Sequence, residues 1–144
     1  MRHAVLERVA DLSDGAFEQI ISLLLERMGH EAIRVVHRGA GVVAMLTRRD
    51  DETVAVVARR GRTTVGADTV EALEGNLPRF DAALGILLTV GRFDDKARAA
   101  GRRGGVRLVD GQGLSRLLYT HGVGFARHQP IVRYVDAALF ASLG

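Results

Sequence analysis

The sequence predicts an α/β domain built on a mixed sheet. Three observations predict it. The chain has 144 residues, 47% of them apolar, which suits one globular core and not a disordered segment. Three apolar runs with short joins (32–36, 42–47 and 52–58) read as an antiparallel meander. Beyond residue 65, helical patterns alternate with three further apolar runs, the mark of crossover-connected strands. No repeat, low-complexity tract or linker interrupts the chain, so residues 1–144 are read as a single domain.

The elements follow in order. Val5, Leu6 and Val9 give a short leading helix. Ser13 and Asp14 form an N-cap signal for a second helix, whose inward face carries Phe17, Ile20, Ile21, Leu24 and Met28. Gly29 is its expected stop. The Gly39-Ala40-Gly41 cluster opens a strand, not a helix, and lacks a third glycine, so it reads as a tight turn and not a dinucleotide fingerprint. "RRDD" turns the hairpin between 42–47 and 52–58. A helix with Val70, Leu73 and Leu77 inward ends near Gly75 and Pro78. "ALGILLTV" (83–90) is a strand covered on both faces. "FDDKARAAGRRGG" is a helix with acids first and arginines last, as the helix dipole favours. "VRLVD" is a strand, and "GQGLSRLLYTHG" is a helix after a glycine-containing turn. "IVRYV" (131–135) reads as a late strand and "DAALFASL" as a closing helix.

Several functions are argued against. Cysteine is absent, which removes disulfides, thiolate zinc sites and a cysteine nucleophile. The five histidines show no ligand-spaced pair on a helix, and no serine sits in a nucleophile elbow. No apolar run is long enough for a membrane span, and the first residues carry scattered charge unlike a secretory signal. A cytoplasmic setting is the expectation.

The net charge is +3 with a pI near 10.1, and 19 of the 20 basic residues are arginine. GC-rich coding alone can produce that bias. A polyanion partner also explains it, because the guanidinium fork matches phosphate. Placement argues for the second reading. Arg38 precedes one strand, Arg59, Arg60 and Arg62 follow another, and Arg92 follows the most apolar strand beside Thr89. Carboxyl ends of strands in open α/β sheets are where ligands bind. These six residues are the expected phosphate contacts.

Laid end to end, the pieces resemble the catalytic domain of Mrr-type restriction endonucleases, in the PD-(D/E)XK nuclease superfamily. "GAFEQIISLLLERMGH", "GILLTVGRFDDKARAAG", "VRLVDGQGLSRLL", "HGVGF" and "IVRYVDAALF" carry the likeness across nearly the whole chain. The resemblance implies a restriction endonuclease-like mixed sheet flanked by helices. It also implies a Mg²⁺ site made by an Asp on the second strand and Gln/Glu-x-Lys on the third. Here Ala44 stands at the Asp position, and Val57-Ala58-Arg59 replaces Gln/Glu-x-Lys. Glu18 alone matches a family acid, an accessory one on the first helix of the pattern. Asp50, Asp51 and Glu52 sit at the hairpin tip, about 20 Å from Ala44 at ~3.3 Å per residue.

The expected function is therefore a nuclease fold that contacts DNA phosphates non-specifically without catalysis, with no cofactor and no metal. An active, Mg-dependent DNA endonuclease of a restriction system is the alternative from the enzyme class. A dimeric scaffold, joined through the apolar tail "ALFASL", is the alternative from the interaction class. No additional DNA-reading domain is evident, so sequence-specific recognition is not expected.

Overall fold

The computed structural model describes residues 2–123. The late strand and closing helix expected at 131–143 lie outside the described residues.

Helix α1 (Arg2–Ala10) leads into α2 (Asp14–Arg27), where Ser13 caps the helix by accepting a hydrogen bond from the Ala16 N–H at 3.1 Å. Gly29 follows the helix with φ +93°, the left-handed stop expected of it. Strands β1 (Glu31–Gly39), β2 (Val42–Arg49) and β3 (Glu52–Arg59) form the antiparallel meander. Each of its turns has two residues: Ala40–Gly41 and Asp50–Asp51, all with positive φ. Two-residue turns of that hand match the twist of the strands they join.

A two-residue strand β4 (Thr64–Val65) precedes α3 (Ala67–Asn76) and a 3-10 turn at Pro78–Phe80. Strand β5 (Leu84–Thr89) is followed by another two-residue strand, β6 (Arg92–Phe93), then α4 (Asp95–Arg103), β7 (Val106–Val109) and α5 (Gly111–Thr120). Asp94 and Asp110 cap α4 and α5 through the N–H groups of Ala97 and Gly113.

The main sheet has the order β1-β2-β3-β5-β7, antiparallel through β3 and parallel from β3 to β7. The two crossovers step in the same direction, so their helices α3 and α4 share one face of the sheet. Helices α1, α2 and α5 cover the other face. Alternation along the strands feeds two cores. Val43, Met45, Val56, Ile86 and Leu88 meet Phe17, Ile20 and Leu24 of α2 on the first face. Leu46, Ala55 and Leu87 meet Val70, Leu73 and Ala97 on the second. The expected mixed sheet is therefore present. The pair β4–β6 is an addition, a small parallel ladder of Thr64 with Arg92 and Val65 with Phe93.

His30 gives this fold one source of pH dependence. It is 3% exposed, its Nδ1 lies 2.7 Å from the Thr47 hydroxyl, and its Nε2 is buried without a partner among the described residues. Burial first, and the nearby Arg49 charge second, push its pKa below the ordinary 6.5. The unfolded chain thus takes up this proton before the folded one does. The His30 contribution to stability is full above pH 6.5 and is lost as pH drops through 6.5 toward the lowered folded value. Thermal melts from pH 8 to 5 are expected to show that decline, and His30→Gln is expected to flatten it. An unchanged decline in the variant would assign the effect to other groups.

Candidate nucleic-acid interface

The carboxyl ends of β3, β5 and β7 and the amino end of β2 lie along one end of the sheet, and the meander register fixes what meets there. Ala44 is the direct cross-strand partner of Val57, and His37 of β1 is paired with Ala44 on the other side. One row nearer the strand ends, Val42 pairs with Arg59, and Arg59 with Thr89. Partnered residues share a face, so Ala44, Val57 and Arg59 all lie on the face of α3 and α4. Ala44 and Val57 are thus adjacent, both half-buried, and neither side chain has a donor atom for a metal.

The six expected phosphate contacts do not form one set. Arg38 lies beside Val43 on the opposite face, where Glu18 holds it in a two-pronged ion pair, Nε to Oε1 at 2.9 Å and a terminal nitrogen to Oε2 at 3.1 Å. That contact raises the Arg38 pKa further above its ordinary value. Arg60 donates to Asp14 Oδ1 at 2.6 Å and to the Ala10 carbonyl at 3.2 Å. Arg62 lies 3.4 Å from both Asp11 Oδ1 and the Glu7 carbonyl. Thr89 corrects the sequence expectation: it is fully buried, and its hydroxyl accepts the Gly91 N–H at 3.0 Å, so it faces the interior and not a phosphate. Arg59 is half-buried and Arg92 exposed, and neither has an ion pair among the described residues.

Two of the six do converge. Arg62 and Arg92 line a cavity of about 570 Å³ with Val90, Gly91, Gln112 and Arg98. Arg98 was not anticipated from sequence. It is anchored on α4 by the Phe93 carbonyl at 2.7 Å and by Asp95, one turn earlier. Arg38 and Glu18 line a separate cavity of about 390 Å³ with Asp14, Phe17 and Val42. A larger cavity of about 700 Å³ runs beside β7, with aliphatic walls from Ile86, Leu88 and Leu108.

Around Ala44 and Val57 the described residues do not fit a divalent cation. Mg²⁺ needs oxygen donors in near-octahedral array. Ala44 and Val57 offer none, and Glu18 is committed to Arg38. No group of three or more His, Asp or Glu that could hold a metal occurs among the described residues. Asp50 and Asp51 form the exposed far turn of the hairpin, as expected.

The restriction endonuclease family model, of the Mrr catalytic type, matches residues 9–118. The chain belongs to the Mrr-type restriction endonuclease family. This Mrr-type domain is 32% identical to a type IV methyl-directed restriction enzyme, EcoKMrr, of Escherichia coli strain K12, over 94% of the chain and 48% of that relative. It therefore spans about half the length of the curated relative it matches. Its fold is similar to that of the MspJI restriction endonuclease, solved with a 27-mer oligonucleotide (TM-score 0.65, 16% identity, 99% of this chain and 36% of that one). It is also similar to the DNA modification-dependent restriction endonuclease AspBHI (TM-score 0.60, 17% identity, 98% and 40%). The restriction endonuclease-like architecture read from the sequence is therefore present. No helix of the described residues is long and apolar enough to cross a membrane.

Proposed function

We propose that this Mrr-type domain binds duplex DNA through its phosphates, without sequence preference and without cleaving it. The observation that carries the reading is the cross-strand pair Ala44–Val57. A pair of facing strand positions is kept in this fold, and both side chains are hydrocarbon. Arg59 stands at the neighbouring strand end, and Arg62, Arg92 and Arg98 line one cavity, outnumbering the acids Glu7 and Asp110 there. Guanidinium groups at strand ends attract phosphate whether or not a metal is bound. Likeness to a chain solved with an oligonucleotide supports the choice of DNA as the polyanion.

A salt titration of binding to a short duplex tests it. Affinity should fall linearly on a log–log plot, by about 0.9 per phosphate neutralised. Arg59→Ala with Arg92→Ala is expected to flatten the slope by about 1.8, equally for unrelated sequences. No binding at ~50 mM salt would remove the reading. The homodimer expected from the apolar tail rests on residues outside those described, and sedimentation velocity is its test.

A further inference from the structure

Three of the arginines set aside for phosphate are already held by acids of the same chain. Glu18 holds Arg38, Asp14 holds Arg60, and Asp11 stands beside Arg62. The arginines come from the ends of two strands, but the acids come from one short stretch. Asp14 and Glu18 are about one turn apart on α2, and Asp11 lies in the turn just before it. The partners are 20, 46 and 51 residues apart in sequence, so the pairing is made by the fold and not by local helix spacing.

Each carboxylate offers a guanidinium what a phosphate would offer. Glu18 meets both prongs of the Arg38 fork. Arg38 and Arg62 nevertheless keep 65% and 55% of their side-chain surface exposed, so another anion can reach them from solvent. Arg60 is 28% exposed and also clasped by the Ala10 carbonyl, which makes it the most committed of the three. Exposed ion pairs are weak and exchange partners readily.

We propose that Asp11, Asp14 and Glu18 act as an internal competitor for DNA, occupying Arg62, Arg60 and Arg38 until phosphates displace them. The proposal rests on the DNA-binding reading above and names its regulation. When a phosphate replaces a carboxylate, the freed acid stays close and repels the duplex, so each exchange gains less than a contact to an unpaired arginine. The acid row thereby holds affinity down. Anything that neutralises or moves the α1–α2 junction would raise it. A purely structural role makes a different prediction: neutralising the acids would loosen the junction without strengthening DNA binding.

The test compares three versions of the 144-residue chain on one duplex at ~50 mM salt. They are the wild type, the row variant Asp11→Asn/Asp14→Asn/Glu18→Gln, and a tip control Asp50→Asn/Asp51→Asn/Glu52→Gln. Both variants lose three negative charges, but the control residues lie at the far end of the hairpin, exposed. Asn tolerates the positive φ of Asp50 and Asp51. The row variant is expected to bind about threefold or more tighter than the tip control, with the gap closing as salt rises. Equal affinities in folded proteins overturn the proposal and leave the DNA-binding reading standing. No binding by any of the three overturns both. Should the row variant fail to fold, Asp11→Asn against Asp50→Asn decides the matter, since Asp11 is 78% exposed and its pair is the loosest.

Discussion

Gly91→Ala and Gly111→Ala are each expected to lower stability by about 2–4 kcal/mol, or to prevent folding. A Cβ on Gly91 would stand 2.3 Å from the Thr63 carbonyl oxygen, and one on Gly111 would stand 2.3 Å from that of Val90. Main-chain atoms cannot rotate aside as side chains do, so three chain segments would have to separate. Those segments are bonded to one another. Gly111 N–H donates to the Gly91 carbonyl at 2.8 Å, and Val90 N–H donates to that of Arg59 at 3.1 Å. The junction also sets the places of Arg62 and Arg92, so damage there reaches the cavity they line. Gly104→Ala is the contrast. Its Cβ would overlap the Glu74 carboxylate, which sits at the end of a flexible side chain and can swing away. That variant is expected to stay within about 0.5 kcal/mol of the wild type. Urea unfolding of the three variants decides it, and a Gly91→Ala protein as stable as the wild type would show that the junction yields.

This junction marks a limit of reading the chain alone. Gly91 and Gly111 look in sequence like ordinary turn glycines, because their need for close approach comes from segments 20 to 29 residues away. The hairpin was far more legible. A two-residue turn at Asp50–Asp51 fixes every pair above it, from Arg49 with Glu52 through Ala44 with Val57 to Val42 with Arg59. Helix starts were legible for a similar reason, since Ser13 acts within three residues of itself. Strand β5 shows where pattern reading stops. Its run is apolar on both faces, so nothing in "ALGILLTV" says that Thr89 shares the buried face of Leu87. The small β4–β6 ladder has two residues per strand, too few to leave a pattern. The ion pairs of Arg38, Arg60 and Arg62 are long-range, so charge along the chain does not reveal that these side chains have acidic partners.

The unmodified protein is expected to show no Mg²⁺- or Mn²⁺-dependent cleavage of plasmid or linear DNA. Hydrolysis of a phosphodiester needs an ionised water and some charge to offset what builds on the phosphoryl oxygens. A metal held between two carboxylates supplies both, and losing several kcal/mol of that stabilisation slows the reaction by about three decades or more. Ala44 and Val57 leave no anionic ligand at either facing position, and the bidentate grip of Arg38 takes Glu18 out of reach as a substitute. Arg59 can stabilise charge from the strand end, but it cannot accept a proton from water, because its pKa lies above ~12. Binding without turnover is the expected combination: salt-sensitive retention of plasmid, and supercoiled substrate intact after prolonged incubation. Ala44→Asp, Val57→Glu and Arg59→Lys together restore the family pattern on facing strand positions, and Mn²⁺ binding by calorimetry is the first gain to measure, ahead of activity. The deciding assay uses the wild type. Metal-dependent nicking that travels with the protein through purification and disappears in Glu18→Ala would mean that Glu18 leaves Arg38 to serve a working site, and the non-cleaving reading would fall.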